Sequence, residues 1–169
     1  MRRVVVTGMG IVSSIGNSTQ EVLASLREGK SGITRSDSYA ELGFRSQVHG
    51  APQLDASAIV DRRAMRFHGG GTAWNHVAME QAIRDSGLEE NEISNERTGM
   101  VMGSGGSSTR TIVEAADITR KNTSPKRVGP FAVPTEMNYT ASATLSTWFE
   151  IKGASYSVSA ACPSANICM

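Results

Sequence analysis

Apolar residues recur along this chain with two different periods. Near the C-terminal end Tyr156, Val158 and Ala160 alternate with Ser155, Ser157 and Ser159, the period of two that predicts a strand. Short β-branched or apolar runs at residues 3–7 and 98–102 predict two more strands, both buried. Elsewhere the period is helical. Ala73, Val77, Ala78, Ala82 and Ile83 form one stripe and predict a helix over 72–86 that Gly87 stops. Ser18 and Glu21 have the spacing of a capping box, which opens a helix through Val22, Leu23 and Leu26 that ends near Gly29. A short helix starts at Asp55 and carries Asp61 to Phe67, and the glycines at 69–71 break the chain after it. Two further helices are expected over 110–120 and 134–149, with loops over 89–96 and 121–130. Residues 31–50 read as irregular, apart from a short strand at 46–48. Strands alternating with helices predict an α/β architecture with a mostly parallel sheet, and no boundary divides residues 1–169.

Composition narrows the function classes. A chain of 169 residues can bury a core. Seventeen lysines and arginines against sixteen acidic residues give a net charge of +1, which excludes a globally basic nucleic-acid binder and leaves any electrostatic partner to a local patch. No apolar run approaches the roughly eighteen residues of a membrane span. The basic and then apolar N-terminus is too short in its apolar run for a signal peptide and reads as an opening strand. Cys162 and Cys168 lie six apart in one predicted helix, on different faces, so they are not expected to bridge. No histidine or cysteine cluster has metal-ligand spacing, so no metal is expected, and a reducing cytoplasm is the natural setting.

Several motifs have a plain and a functional reading. Gly8-Met9-Gly10 after a strand invites a dinucleotide site, but no third glycine follows in register and the helix starts only after Asn17; turn geometry is the better reading. The turn at 103–108 is not followed by Lys-Ser/Thr, so close backbone packing beside a site suits it better than phosphate binding. His68 and His76 have no cysteine or acid at catalytic spacing and read as structural. Arg62 and Arg66 share a helix face with Arg63 beside them, either a solvated face or a docking patch for an anionic partner.

The chemistry concentrates at Cys162. Small residues lead from the last strand into this cysteine, and Pro163 suits the first position of a helix. A thiol at a strand-turn-helix junction faces backbone N–H groups and the positive end of a helix, which favour the nucleophilic thiolate. The same N–H groups can stabilise an oxyanion during attack on an acyl carbonyl. The plain alternative is a small buried hydrophobe.

Taken together, the segments Val4 to Asn17, Ser31-Gly32-Ile33, Asp61 to Phe67, Gly103 to Gly106, Val128-Gly129-Pro130 and Tyr156 to Cys162 resemble the N-terminal part of the bacterial β-ketoacyl-[acyl-carrier-protein] synthases. The resemblance spans essentially the whole chain, and the wording of Ser13 to Asn17 and of Gly103 to Gly106 is nearest the type I branch. It implies a thiolase-like layered fold of two βαβαβαββ halves, of which this chain holds an incomplete N-terminal half, a mixed, mostly parallel sheet flanked by helices. It implies a homodimer that needs no cofactor. Cys162 matches the nucleophile that takes an acyl group from acyl carrier protein. Malonyl carrier protein is then decarboxylated and condensed onto that group. Arg62, Arg63, Arg66, Lys126 and Arg127 match a docking surface for the acidic carrier, while Gly106 and Met137 match positions lining the acyl pocket.

Two departures stand out. Pro163 occupies a position that is usually alanine, and Asn166-Ile167 replaces Ala-His. The family's catalytic histidines, its lysine and its second oxyanion donor match no residue here, so the chain is expected to be a fragment that is inactive alone. Three other readings remain: a thiolase-like acyl transferase, an inactive truncated or chain-length-factor-like partner, and a nucleotide-binding module at Gly8.

Overall fold

In the computed structural model, which describes residues 3–169, the amphipathic stripes become helices close to the limits their caps set. In chain order the elements are α1 (Thr19–Glu28), β1 (Ile33–Arg35), α2 (Asp37–Glu41), β2 (Val48–Gly50), α3 (Arg62–Met65), α4 (Gly70–Ser86) and α5 (Glu90–Ile93). They continue as β3 (Met100–Gly103), α6 (Thr109–Asn122), α7 (Ala132–Glu136), α8 (Thr140–Trp148), β4 (Ser155–Val158) and α9 (Ser164–Ile167). Single 3-10 turns occupy Ala56–Ala58 and Pro125–Arg127.

The chain divides into two compact units, one of residues 3–56 and 77–87, the other of 57–76 and 88–169. In the first, Ser18 caps α1 by accepting from the Glu21 amide, and Glu21 accepts in return from the Asn17 amide at 2.7 Å. That is the reciprocal capping expected, displaced one residue toward the N-terminus. Gly29 ends the helix at a φ of 65°, a conformation that glycine adopts without strain. Strands β1 and β2 pair antiparallel, with Thr34 opposite His49. The sequence pattern predicts only the second of these strands, and at 46–48. Three residues of pattern are too few to fix a strand without its partner.

The opening strand predicted over 3–7 does not form. Residues 3–12 carry no regular element, and Val4, Val5 and Val6 are exposed. A strand needs a neighbour for its row of N–H and C=O groups. Here the Met9 and Ile11 amides donate instead to the side chains of Asp85 and Gln81 on α4. The two glycines beside them are the reason the segment lies so close. A Cβ on Gly8 would stand 2.2 Å from the Ala82 carbonyl oxygen, and one on Gly10 would stand 1.7 Å from that of Ala78. The glycine pair therefore serves close backbone packing against α4, and residues 8–10 form no turn, unlike the turn read from the sequence.

The second unit is built on β3 and β4, a parallel pair in which Met100 lies opposite Ser155 and Gly103 opposite Val158. Helix α8 packs on both strands, α9 packs on β3, and α6 packs against α7. Leu145 of α8 is completely buried, among a small core that includes Val60, Ala64, Ala73, Met100 and Ala141. Small residues at these positions let helix and strand backbones approach. The single helix predicted over 134–149 is two helices, because Met137 adopts an extended conformation with ψ 135°. The predicted break at 69–71 lies instead at the helix start, α4 beginning at Gly70. The described strands thus form two separate two-stranded sheets, an antiparallel one in the first unit and a parallel one in the second, within an α/β fold.

Gly10→Ala should destabilise the first unit by roughly 3 kcal/mol, because its methyl meets main chain that cannot rotate away. Denaturant midpoints measure this, and a loss below about 0.5 kcal/mol would contradict the packing described.

Candidate active site

The local sequence builds an elbow. Strand β4 ends at Val158, and Ala161 then takes a φ of 53°, a left-handed conformation uncommon for a residue with a Cβ. That single rotation reverses the chain and leaves the Cys162 side chain exposed. Pro163 follows as the N-cap of α9 rather than its first residue, with φ −81° and ψ 4°. Its fixed φ suits that bend. The helix has only four residues, so its dipole adds little.

Individual amides matter more. Pro163 has no N–H, and the Ser164 N–H donates to the Ala161 carbonyl at 3.2 Å. The Cys162 N–H has no acceptor among the described residues. One backbone donor beside the thiol is therefore uncommitted, as an oxyanion donor must be. Cys168 donates its thiol hydrogen back to the Ser164 carbonyl at 3.2 Å, and both cysteines are free, as the six-residue spacing implied.

Gly103 and Ser164 hold the elbow against the sheet. A Cβ on Gly103 would lie 2.6 Å from the Ser164 carbonyl oxygen, so only glycine lets α9 settle on β3. Ser164 is 3 % exposed. Its hydroxyl accepts from the Ala160 amide at 2.8 Å and lies 2.7 Å from the Ala161 carbonyl. Sequence reasoning missed this residue. The available signal was a small polar side chain two positions after the cysteine, where hydroxyls often cap helices.

The other residues expected at the site divide into two groups. Gly106 and Met137 line one cavity of about 210 Å³, together with Asn75, Ser108 and the glycines that open α4. Cys162 is not on its wall. Arg62 and Arg63 stand on α3, Arg66 is its C-cap, and Lys126 and Arg127 form the 3-10 turn after Ser124. All five are exposed, and none makes an ion pair among the described residues. Phe67 and Phe131 meet edge to face at 5.2 Å, which ties the segment behind the three arginines to the segment behind the basic turn.

His68 and His76 lie in the interior. His68 Nε2 lies 3.0 Å from His76 Nδ1, and the His76 ring packs on Trp148 and Phe149. Burial, reinforced by the neighbouring His76, lowers the pKa of His68 from 6.5 to about 4. His49 packs edge-on against Tyr39. Among the described residues no group of three or more histidine, cysteine or acidic side chains could hold a metal. No described helix is long and apolar enough to cross a membrane.

Comparison with known proteins identifies the family and the fold. The family model described as "Beta-ketoacyl synthase, N-terminal domain" matches residues 1–169. The 3-oxoacyl-[acyl-carrier-protein] synthase 1 of Escherichia coli K12 is 47% identical over 170 residues, and that of Haemophilus influenzae is 44% identical over 169. Each alignment takes in all of this chain and 42% of the relative, so the chain spans less than half the length of these proteins. The crystal structure of a beta-ketoacyl synthase from Burkholderia phymatum STM815 matches with a TM-score of 0.83 at 27% identity, over 99% of this chain and 41% of its own.

The buried histidine pair makes a pH prediction. His68 binds a proton more readily unfolded than folded, so between pH 6.5 and about 4 the unfolded state carries more protons. Stability is complete above pH 6.5 and falls, by up to roughly 3 kcal/mol, as the pH drops to about 4. Urea unfolding at pH 7 and pH 4.5 should show a smaller acid loss in His68→Phe than in the wild type. An identical loss in both would remove His68 as a source.

Proposed function

The chain belongs to the β-ketoacyl synthase family as its N-terminal domain, and from that premise we propose that Cys162 is the acyl-accepting nucleophile of a carrier-protein-dependent condensing enzyme. The observation that carries this reading is the exposed thiol on the Ala161 elbow, with its own N–H uncommitted. In the first half-reaction the Cys162 thiolate attacks the thioester carbonyl of an acyl carrier protein. A new carbon–sulfur bond forms, the oxyanion accepts a hydrogen bond from the Cys162 N–H, and on collapse the carrier's carbon–sulfur bond breaks and its thiolate leaves.

Condensation is the second half-reaction. Malonyl carrier protein loses carbon dioxide, the resulting carbanion attacks the Cys162 thioester, and the thiolate is released as 3-oxoacyl carrier protein forms. The relatives' names supply the reaction class, since both are 3-oxoacyl-[acyl-carrier-protein] synthases. Five cations with no ion pair among the described residues, Arg62, Arg63, Arg66, Lys126 and Arg127, on two linked segments, supply a surface for an acidic carrier. The cavity between Gly106 and Met137 supplies space for part of an acyl chain. A homodimer and a cytoplasmic setting complete the reading, supported by family membership and by two free thiols.

Incubating the complete polypeptide with an acyl-carrier thioester and mapping the labelled peptide should place the acyl group on Cys162, with none in Cys162→Ala. Label confined to Cys168, or none in a folded protein, contradicts the assignment. Changing Arg62 and Arg66 together to glutamate should raise KM for carrier-bound substrate about tenfold or more while leaving small thioesters within about twofold. Equal effects on both substrates would argue against docking there.

A further inference from the structure

The Ser164 hydroxyl joins the residue after the last strand, the elbow and the loop after β3. It accepts from the Ala160 N–H at 2.8 Å, lies 2.7 Å from the Ala161 carbonyl oxygen and 3.2 Å from that of Ser104. A hydroxyl carries one hydrogen, so it donates to one of these two carbonyls at a time, and the 2.7 Å contact is the better placed. The residue is 3 % exposed, which removes water as a competitor. Its N–H also donates to the Ala161 carbonyl. Ala161 is thus clamped through its carbonyl by both polar groups of Ser164, in a left-handed conformation that an alanine does not favour on its own.

We infer that Ser164 is a positioning residue for Cys162: its hydroxyl holds Ala161 in the left-handed conformation and so fixes the direction of the Cys162 thiol and N–H. The inference rests on the reading of Cys162 as the nucleophile. It follows from connectivity, because the peptide joining Ala161 to Cys162 carries both the clamped carbonyl and the Cys162 N–H. A peptide unit is planar, so fixing its carbonyl oxygen fixes its N–H. Without the hydroxyl, the Ala160 N–H loses its acceptor and Ala161 is held only by the longer 3.2 Å bond from the Ser164 N–H, so it relaxes more readily toward negative φ. That rotates the oxyanion donor away from the acyl carbonyl. Binding of the carrier takes place on other segments and is unaffected.

The test compares wild type, Ser164→Ala, Ser164→Val and Ser164→Thr in the complete encoded polypeptide, by the rate of Cys162 acylation from an acyl-carrier thioester. Threonine keeps the hydroxyl and valine has the same shape without it. Alanine and valine should lower the maximal rate roughly tenfold with KM within about twofold, while threonine stays within about threefold of wild type. A purely structural serine would give equal rates for threonine and valine, which would overturn the inference, as would an alanine variant as fast as wild type. If alanine and valine fail to fold, Ser164→Cys, of similar size and with a poor hydrogen-bonding group, carries the same comparison. Failure of wild type itself to acquire label at Cys162 sinks the proposed function instead, and so separates the two.

Discussion

The parallel pairing of β3 with β4 is the constraint on which the site depends. Parallel strands need a long crossover, and the residues between these two, 104–154, supply α6, α7 and α8 before the chain returns. Once β4 lies beside β3 in register, with Gly103 opposite Val158, the chain emerges next to the glycine-serine turn. The Ser104 N–H donates to the Val158 carbonyl at 3.0 Å and extends the ladder one step past the strands. The elbow can then form only by doubling back over β3, and α9 does so because Gly103 has no side chain to obstruct it.

Cys162 owes its character to what its neighbours lack. Pro163 withholds an N–H, Ser164 spends its own on Ala161, and the dipole of a four-residue helix is small. What remains beside the thiol is the Cys162 N–H, which has no acceptor among the described residues. Pro163 leaves this donor untouched and restricts the bend to fewer conformations. Cys168, a similar thiol six residues on, is turned onto its own helix. The difference between the two is position in the fold, since their chemistry as free amino acids is the same.

The basic residues show how charge and packing divide the work. The guanidinium groups of Arg62, Arg63 and Arg66 stay in water on one side of α3, while Ala64 of the same helix is buried. Behind them the aromatic pair of Phe67 and Phe131 joins this helix to the segment that follows Lys126 and Arg127. Exposed cations contribute little to stability, so leaving these five without an ion pair among the described residues costs the fold little. The buried neighbours His68 and His76 illustrate the opposite case: sealed among aromatic rings, the pair satisfies one ring nitrogen of each and holds His68 neutral at physiological pH.

Much of this was legible in the residues themselves. Capping and glycine stops placed α1 and α4 to within two residues, because those signals act within one turn of chain. The strand-turn-cysteine-helix order at 155–167 was equally local, as was the resemblance carried by Val4 to Asn17 and Tyr156 to Cys162. The valine run at 4–6 shows the limit: its β-branched residues favour a strand, but pairing requires a neighbour that local sequence does not specify. The split of α7 from α8 at Met137 and the pairing of β1 with β2 were decided in the same way, by contacts between residues distant along the chain or by a single backbone rotation. Ser164 is the clearest example. As a letter it is one serine among many, and only the fold brings Ala160, Ala161 and Ser104 within reach of its hydroxyl, because hydrogen bonds are read over about 3 Å of space and not along the sequence.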